Sequence, residues 1–355
     1  MFRTCLLVSA VTAGLSAGCT SYKPSILAAC EESPQSAILK WETFPVMTGE
    51  LKVYASSDPN NIPLEKPIAT TNISEQMLMV ETGGSVSRQY YTMVFNDEFP
   101  ITIASRKIYM PGVQNFRDVG GYFTSSGREV KWGKVYRSDA LDSIGKEGER
   151  ILRGLGVKTV IDLRSPAEIH SPLKHMEGVE RINVPLIDRE AFMLMDRVCS
   201  GTLGLDSLRQ MILRMNVKIL EEHSKELQQV FEILENEDSY PLVIECNSGK
   251  MRTGLVMALL LNALGVGHET VVQDYELSNS YFHIPVAYRS GYSMPEDVQE
   301  VITALYTSHA EYLDDIYDYI VTEYDGVENY LRKKVGVSPK ELKHLRQLLL
   351  TKPDD

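Results

Sequence analysis

Beyond its first twenty positions this chain has no apolar run long enough for a membrane-spanning helix. Cysteine is scarce: Cys5, Cys19, Cys30, Cys199 and Cys246 are the only five in 355 residues, too few for a disulfide framework in a chain this size. Positive charge is in deficit as well. Lys and Arg number 36 against 48 Asp and Glu, a net charge of −12, which argues against non-specific binding to nucleic acid or to an anionic membrane surface. Phosphate can still be recognised, but only by a focused local site. Internal repeats and low-complexity stretches are missing, and the composition is ordinary, so disordered and fibrous classes drop out. What remains is a globular protein with length enough for two cores.

The opening residues, MFRTCLLVSAVTAGLSAGC, combine one early Arg, a short apolar stretch and small residues before Cys19. That pattern predicts a lipoprotein-type signal peptide over 1–19. Cys19 would then be lipidated in an exported protein, periplasmic or at the outer membrane, with no other membrane attachment. A linker is expected over 20–35.

Two textures follow. Over 36–110, short runs rich in β-branched and aromatic residues (AILKWE, GELKVYAS, MLMVET, QYYTMVF, ITIASRKIYM) are separated by turn formers such as Pro59-Asn60-Asn61 and Gly83-Gly84. Regular short strands of this kind predict a small all-β sandwich, with Trp41 in its core. From 111 to 355, strand-like runs alternate with helical ones. VKTVIDLR and YPLVIECN read as buried parallel strands, and LVMALLLNAL as a helix apolar nearly all round. The alternation predicts an α/β domain with a mainly parallel sheet flanked by helices.

In such a domain ligands bind where strands end and helices begin. The segment ECNSGKMRTG (245–254) lies at that kind of junction. Its loop can aim several backbone N–H groups into one concavity at the positive end of a helix. That setting favours a phosphate dianion, bound by Asn247, Ser248, Gly249, Lys250, Met251 and Thr253. It favours a thiolate too, so Cys246 is the candidate nucleophile. Arg252 offers a planar pair of donors for the equatorial phosphoryl oxygens, and Thr253 can hydrogen-bond the departing sulfur. The bland alternative is a structural Cys with Arg252 merely opening a helix, but the apolar strand, internal Gly, Arg-Thr-Gly and buried helix together make coincidence improbable. A sulfurtransferase of the rhodanese type would also place a Cys in a strand–helix loop.

Around this loop the chain resembles the bacterial secreted protein-tyrosine/serine phosphatases, whose phosphoinositide-phosphatase-like signature is His-Cys-x-x-Gly-Lys-Asp-Arg-Thr-Gly. NFRDVGGY (115–122), WGKVYRSDAL (132–141), TVIDLRSPAEI (159–169), DYELSNSYF (274–282) and the terminal EYDGVENYLRKKVGVSPKELKHLRQLLL are similar to blocks of that family, in family order. The resemblance spans essentially 112–355 and leaves the preceding module, similar to immunoglobulin or fibronectin type III domains, as an addition. It implies a cysteine-phosphatase fold. It also implies hydrolysis of phosphotyrosine, with phosphoserine, phosphothreonine or phosphoinositides as further candidates, through a cysteinyl-phosphate and with neither metal nor cofactor. Partners would be phosphorylated proteins, phospholipids or small phosphoesters.

Two positions depart from that signature. Glu245 stands in place of His. Strand alternation turns its side chain away from the thiol, where it can accept hydrogen bonds, but an unpaired carboxylate near Cys246 would raise the thiol pKa and repel an anion. Met251 stands in place of an Asp and can neither give nor take a proton. A replacement acid is expected after the strand VPLI, at Asp188 first and Glu190 second, with Asp274 and Glu276 as weaker candidates. A phosphatase homologue that binds phosphorylated ligands with weak turnover or none is the alternative. Arg117, Asp118, Arg137 and Asp162 are expected to form buried ion pairs bracing the sheet.

Overall fold

The computed structural model describes residues 24–33, 35–59, 61–82, 88–169, 176–186, 189–283 and 293–352, without the side chains at 189–192 and 195. The expected leader with Cys19, and Asp188, lie outside these residues.

The first part is two antiparallel sheets. One has the order β1 (Ser25–Glu32), β2 (Ser36–Phe44), β5 (Met77–Glu81); the other runs β4 (Ala69–Asn72), β3 (Glu50–Ser56), β6 (Tyr90–Phe95), β7 (Phe99–Ile103). Strand β1 corrects the expected linker: SILAACEE carries enough apolar residues to pair along the whole of β2. Leu39 and Trp41 from the first sheet meet Leu51, Val53, Tyr91, Met93 and Phe95 from the second in one apolar cluster. Trp41 lies in that core as expected, edge-on to Phe95 at 6.4 Å, with its indole N–H donated to the Ile73 carbonyl at 2.7 Å. A buried indole needs that partner, because an unpaired N–H there costs about 1–3 kcal/mol.

The second part is built on a five-stranded sheet ordered β11 (Glu180–Asn183), β10 (Thr159–Asp162), β12 (Leu242–Glu245), β9 (Val135–Ser138), β8 (Arg117–Asp118). All its pairings are parallel except β8 with β9. Side chains alternate across the sheet, and both faces are buried. Val160, Val243 and Tyr136 pack on one face with Leu152 of α1 (Lys146–Gly154). Ile161, Ile244 and Val135 pack on the other, against α4 (Ser224–Glu235), α5 (Met251–Leu264) and α11 (Pro339–Leu349). Because α5 lies beneath so much of that layer, it is apolar nearly all round. The other described α-helices are α2 (Arg189–Cys199), α3 (Leu205–Glu222), α6 (His268–Glu276), α7 (Ser278–Tyr281), α8 (Glu296–Tyr306), α9 (Ala310–Tyr324) and α10 (Val327–Tyr330). Helices α2, α3, α8 and α9 contribute to a separate apolar cluster, which Met251 joins from the start of α5. No described helix is long and apolar enough to cross a membrane.

The two parts meet through buried polar contacts. Arg88, just before β6, pairs with Asp118 at 2.8 Å, and the Trp132 indole donates to the Thr102 carbonyl at 3.2 Å.

Candidate active site

Central strand β12 ends at Glu245, and Cys246 is the next residue. In register, Glu245 lies beside Asp162 of β10 and Ser138 of β9, so the carboxyl ends of three parallel strands converge on the loop. Gly249 takes φ +63°, and a Cβ there would sit 2.3 Å from the Ser138 carbonyl oxygen. Only glycine meets both demands. Helix α5 then starts at Met251 with no side-chain cap, leaving its first amides for the sulfur and for an anion.

Cys246 is 2 % exposed. Burial alone would raise its thiol. The Arg252 charge, the Thr253 hydroxyl and amide and the Ser248 amide more than reverse that, and the thiol falls below its ordinary value. The Thr253 hydroxyl is buried and finds no nitrogen or oxygen acceptor, which leaves the sulfur as its partner.

Arg252 is held by a carboxylate that sequence reasoning missed. Its Nη1 and Nη2 donate to Glu168 Oε2 and Oε1 at 2.7 and 2.8 Å, and Asn247 Nδ2 adds a bond to Oε1 at 2.6 Å. Glu168 closes a capping box with Ser165, so its own direction is fixed. The bidentate pair uses the Nη1–Nη2 edge of the guanidinium. Nε makes no hydrogen bond among the described residues, so the Nε side of the guanidinium is the one left for a phosphate. Burial opposes ionisation of Glu168, but the Arg252 bond and charge and the Ser165 bonds win, so its carboxyl is held below the usual range and cannot serve as a proton donor. The sequence signal was available in Ser165-Pro166-Ala167-Glu168, a helix-start pattern at the end of a strand. Its partner, 84 positions away, was not.

Lys250 is expected to bind phosphate, and its charge is felt at Cys246, but its ammonium is directly bonded on the α8 side. Its ammonium donates to the Tyr306 carbonyl at the end of α8 and lies 5.8 Å from the ring centroids of Phe282 and Tyr306. Burial pulls it down to about 8. Its backbone N–H stays in the loop while its charge anchors α8. Met251 is half-buried, with its side chain in the apolar helical cluster rather than bonded to any polar group.

Glu245 does not act as an unpaired carboxylate beside the thiol. It points away from Cys246, accepts the Leu141 amide at 2.8 Å, and is paired with Arg181, which reaches across β10 from β11. Arg164, Asp162 and Asp142 complete that network, and burial lifts the Glu245 carboxyl to about 8 against the pull of Arg181. The site therefore escapes the repulsion that an exposed Glu at this position would bring.

Arg117, Arg137, Asp118 and Asp162 all form buried ion pairs, as expected. Arg137 does more than brace the sheet: its Nη2 donates to the Gly249 carbonyl in the loop at 2.7 Å. Asp274 accepts from Arg137 at 2.6 Å, from Arg117 at 3.2 Å and from the Tyr122 hydroxyl at 3.0 Å. Burial would raise Asp274, yet the two arginines hold it far below the usual carboxylate range, which removes it as a candidate acid. Glu276 is exposed at the end of α6. Glu190 belongs to α2, but its side chain is not described, and Asp188 lies outside the described residues.

A cavity of about 430 Å³ between the α2–α3 turn and the start of α8 is lined by Asp206, Asp297 and Glu300 and by no Lys or Arg. It is electrostatically unsuited to a phosphoester, and the chemistry stays with the loop.

Known proteins are similar to this chain in sequence. A tyrosine-protein phosphatase candidate of Cupriavidus necator is 29 % identical over 237 residues, 65 % of this chain and 85 % of that one. A triple specificity protein phosphatase of Mycobacterium tuberculosis is 27 % identical over 285 residues, 68 % of this chain and 98 % of that one. Among solved structures, the core catalytic domain of the PP-IP phosphatase SIW14 from S. cerevisiae aligns over 56 % of this chain and 89 % of that one, at 18 % identity and a TM-score of 0.26. The profile of the tyrosine phosphatase family matches residues 108–351, which takes in the whole parallel sheet, the loop and both of its arginine braces. By that match over more than half its length, the chain belongs to the tyrosine phosphatase family.

Proposed function

We propose that the chain hydrolyses phosphomonoesters, phosphotyrosine first among them, through a phosphocysteine intermediate on Cys246. One observation carries the reading: a fully buried thiol at the end of a parallel strand whose pKa is nonetheless lowered, by Arg252, Thr253 and loop amides. The relatives named as tyrosine and triple specificity phosphatases support it.

The thiolate attacks phosphorus opposite the ester oxygen, and the S–P bond forms as the P–O bond breaks. Charge on the equatorial oxygens is met by loop amides and by the free Nε side of Arg252, held by Glu168. Water then attacks phosphorus, and the sulfur leaves as thiolate with the Thr253 hydroxyl donating to it. The ester oxygen needs a proton in the first half. With Met251 unable to supply it, Asp188 is the proposed donor on the strength of its place after β11. Aryl esters depend least on that proton, which is why phosphotyrosine ranks above phosphoserine, phosphothreonine and phosphoinositides.

The test is p-nitrophenyl phosphate hydrolysis by the full chain as a function of pH. Only the thiolate reacts, so kcat/KM rises with pH through the Cys246 pKa, below the ordinary thiol value of 9.0. The acid limb coincides with the midpoint for alkylation of Cys246 by iodoacetamide. Turnover indifferent to alkylation overturns the reading, and no turnover with retained phosphotyrosine binding favours the binding-only alternative.

The proposal extends to the rest of the chain. The two sheets that share the Trp41 core are read as a β-sandwich of immunoglobulin or fibronectin type III kind, a packing that an experimental structure checks. The leader is read as a lipoprotein signal that delivers the enzyme to the periplasm or outer membrane. Labelled palmitate should appear in the expressed chain and disappear with Cys19→Ala; equal labelling of both sinks the idea.

A further inference from the structure

Asn115 is 1 % exposed and sits at φ +58°, a left-handed conformation that few non-glycine residues adopt. Every polar group it has is engaged. Its Nδ2 donates to the carbonyls of Ser248 and Gly249, at 3.0 Å each, and to Ser278 Oγ at 3.3 Å. Its Oδ1 accepts from Arg117, and its amide donates to the Tyr281 carbonyl at 3.0 Å. The neighbouring residue is tethered to the end of β9: Gln114 N donates to Asp139 Oδ1 at 2.8 Å, and Asp139 N donates back to the Gln114 carbonyl at 3.1 Å.

A trans peptide is planar, with its C=O and N–H pointing in opposite directions. Carbonyls of Ser248 and Gly249 drawn outward to one carboxamide therefore fix the N–H groups of Gly249 and Lys250 toward the inside of the loop. Among the described residues neither of those N–H groups is bonded to another backbone group. Arg137 reinforces the second carbonyl from the same side. We propose that Asn115 is a positioning residue of the phosphate site, holding two peptide units with their donors turned to the anion although it touches no substrate. The proposal rests on the phosphatase reading and extends it to a residue far from the loop in sequence. A peptide free to rotate can turn a carbonyl toward the pocket, and a carbonyl there repels the oxyanion as strongly as the N–H attracts it.

Asn115→Gly tests this, because glycine keeps the positive φ at no steric cost and removes only the carboxamide. Tungstate affinity, measured by calorimetry on the full chain, falls about tenfold, and kcat/KM for p-nitrophenyl phosphate falls on the order of 10²-fold, as for loss of an oriented oxyanion donor. The alkylation midpoint of Cys246 stays where it was, since the Ser248 and Thr253 amides at the sulfur are not the ones released. A purely structural residue would instead lower the melting temperature and leave tungstate binding of the folded fraction intact, which overturns the proposal. Asp139→Ala serves as a second variant if the glycine variant does not fold. Burial holds the Asp139 carboxyl up at about 8, so it is largely protonated at neutral pH and its removal changes little charge. Weaker tungstate binding therefore reports loss of the Gln114 tether, and unchanged or tighter binding overturns the role. Failure of the phosphatase reading looks different: the parent chain itself then shows no Cys246-dependent turnover.

Discussion

Cys246→Ser abolishes turnover, by roughly 10⁴-fold or more, which is the scale for removing a covalent nucleophile, while phosphotyrosine binding survives. The two halves of that expectation come from different atoms. Chemistry needs a group that is ionised at the end of β12, and Cys246 achieves this although it is 2 % exposed, because Arg252, Thr253 and Ser248 outweigh burial. A serine hydroxyl in the same place meets the same desolvation and starts from a far higher pKa, so the local field cannot ionise it. Binding uses the loop amides and the open Nε side of Arg252, none of which the substitution disturbs. Part of what raises the Arg252 pKa is the thiolate itself. Its removal leaves the guanidinium with Glu168 and the more distant Asp162, and with more positive potential for an incoming dianion, so phosphotyrosine binds the variant at least as tightly as the parent. Stopped release of p-nitrophenol together with calorimetric titration of phosphotyrosine checks both halves. A serine variant that turns over within tenfold of the parent removes Cys246 from the mechanism. One that loses both activity and binding shows that the thiol was needed to shape the loop.

The frame of this site could be read from sequence because its determinants are local. A central parallel strand buried on both faces has to be a continuous apolar run, and a helix under the whole sheet has to be apolar all round. The loop between them spells its own geometry through Gly249 and the Arg252-Thr253-Gly254 start. The partners of the loop were not legible, since each depends on which strands lie side by side. Glu168 reaches Arg252 only because β10 adjoins β12, and Asn115 reaches Ser248 only because β9 lies on the other flank. For Glu245 strand alternation gives the direction, away from the thiol, but not the pairing. From sequence it is a carboxylate next to a nucleophile, and nothing local announces that Arg181 will meet it from two strands away. Lys250 reads as a free cation until α8 is placed. Strand β1 is hard to see in sequence because Cys30-Glu31-Glu32 breaks its apolar pattern.

Met251→Asp is expected to raise kcat on alkyl phosphates by about 10²-fold, the lower end of the range for a general acid, and to change aryl phosphate hydrolysis little. Position 251 opens α5, where an acidic side chain is favoured by the helix dipole by about 0.3–1 kcal/mol. The Met side chain, however, belongs to the apolar cluster formed by α2, α3, α8 and α9. An Asp there forfeits that packing, at a cost of about 1–2 kcal/mol for a half-buried side chain. In a domain of this size, that lowers the melting temperature by roughly 2–8 °C. The same cluster desolvates the new carboxyl and lifts its pKa toward neutrality, which is what a proton donor at physiological pH requires. Stability and catalysis should therefore move in opposite directions in one variant. The decisive measurement is the dependence of log kcat on leaving-group pKa across a series of phosphate esters. The parent line slopes steeply downward as the leaving group worsens, and the variant line is flatter, with the two meeting near good phenols. Parallel lines would mean that the carboxyl never reaches the ester oxygen, and that Asp188, the proposed donor, delivers the proton without help from position 251.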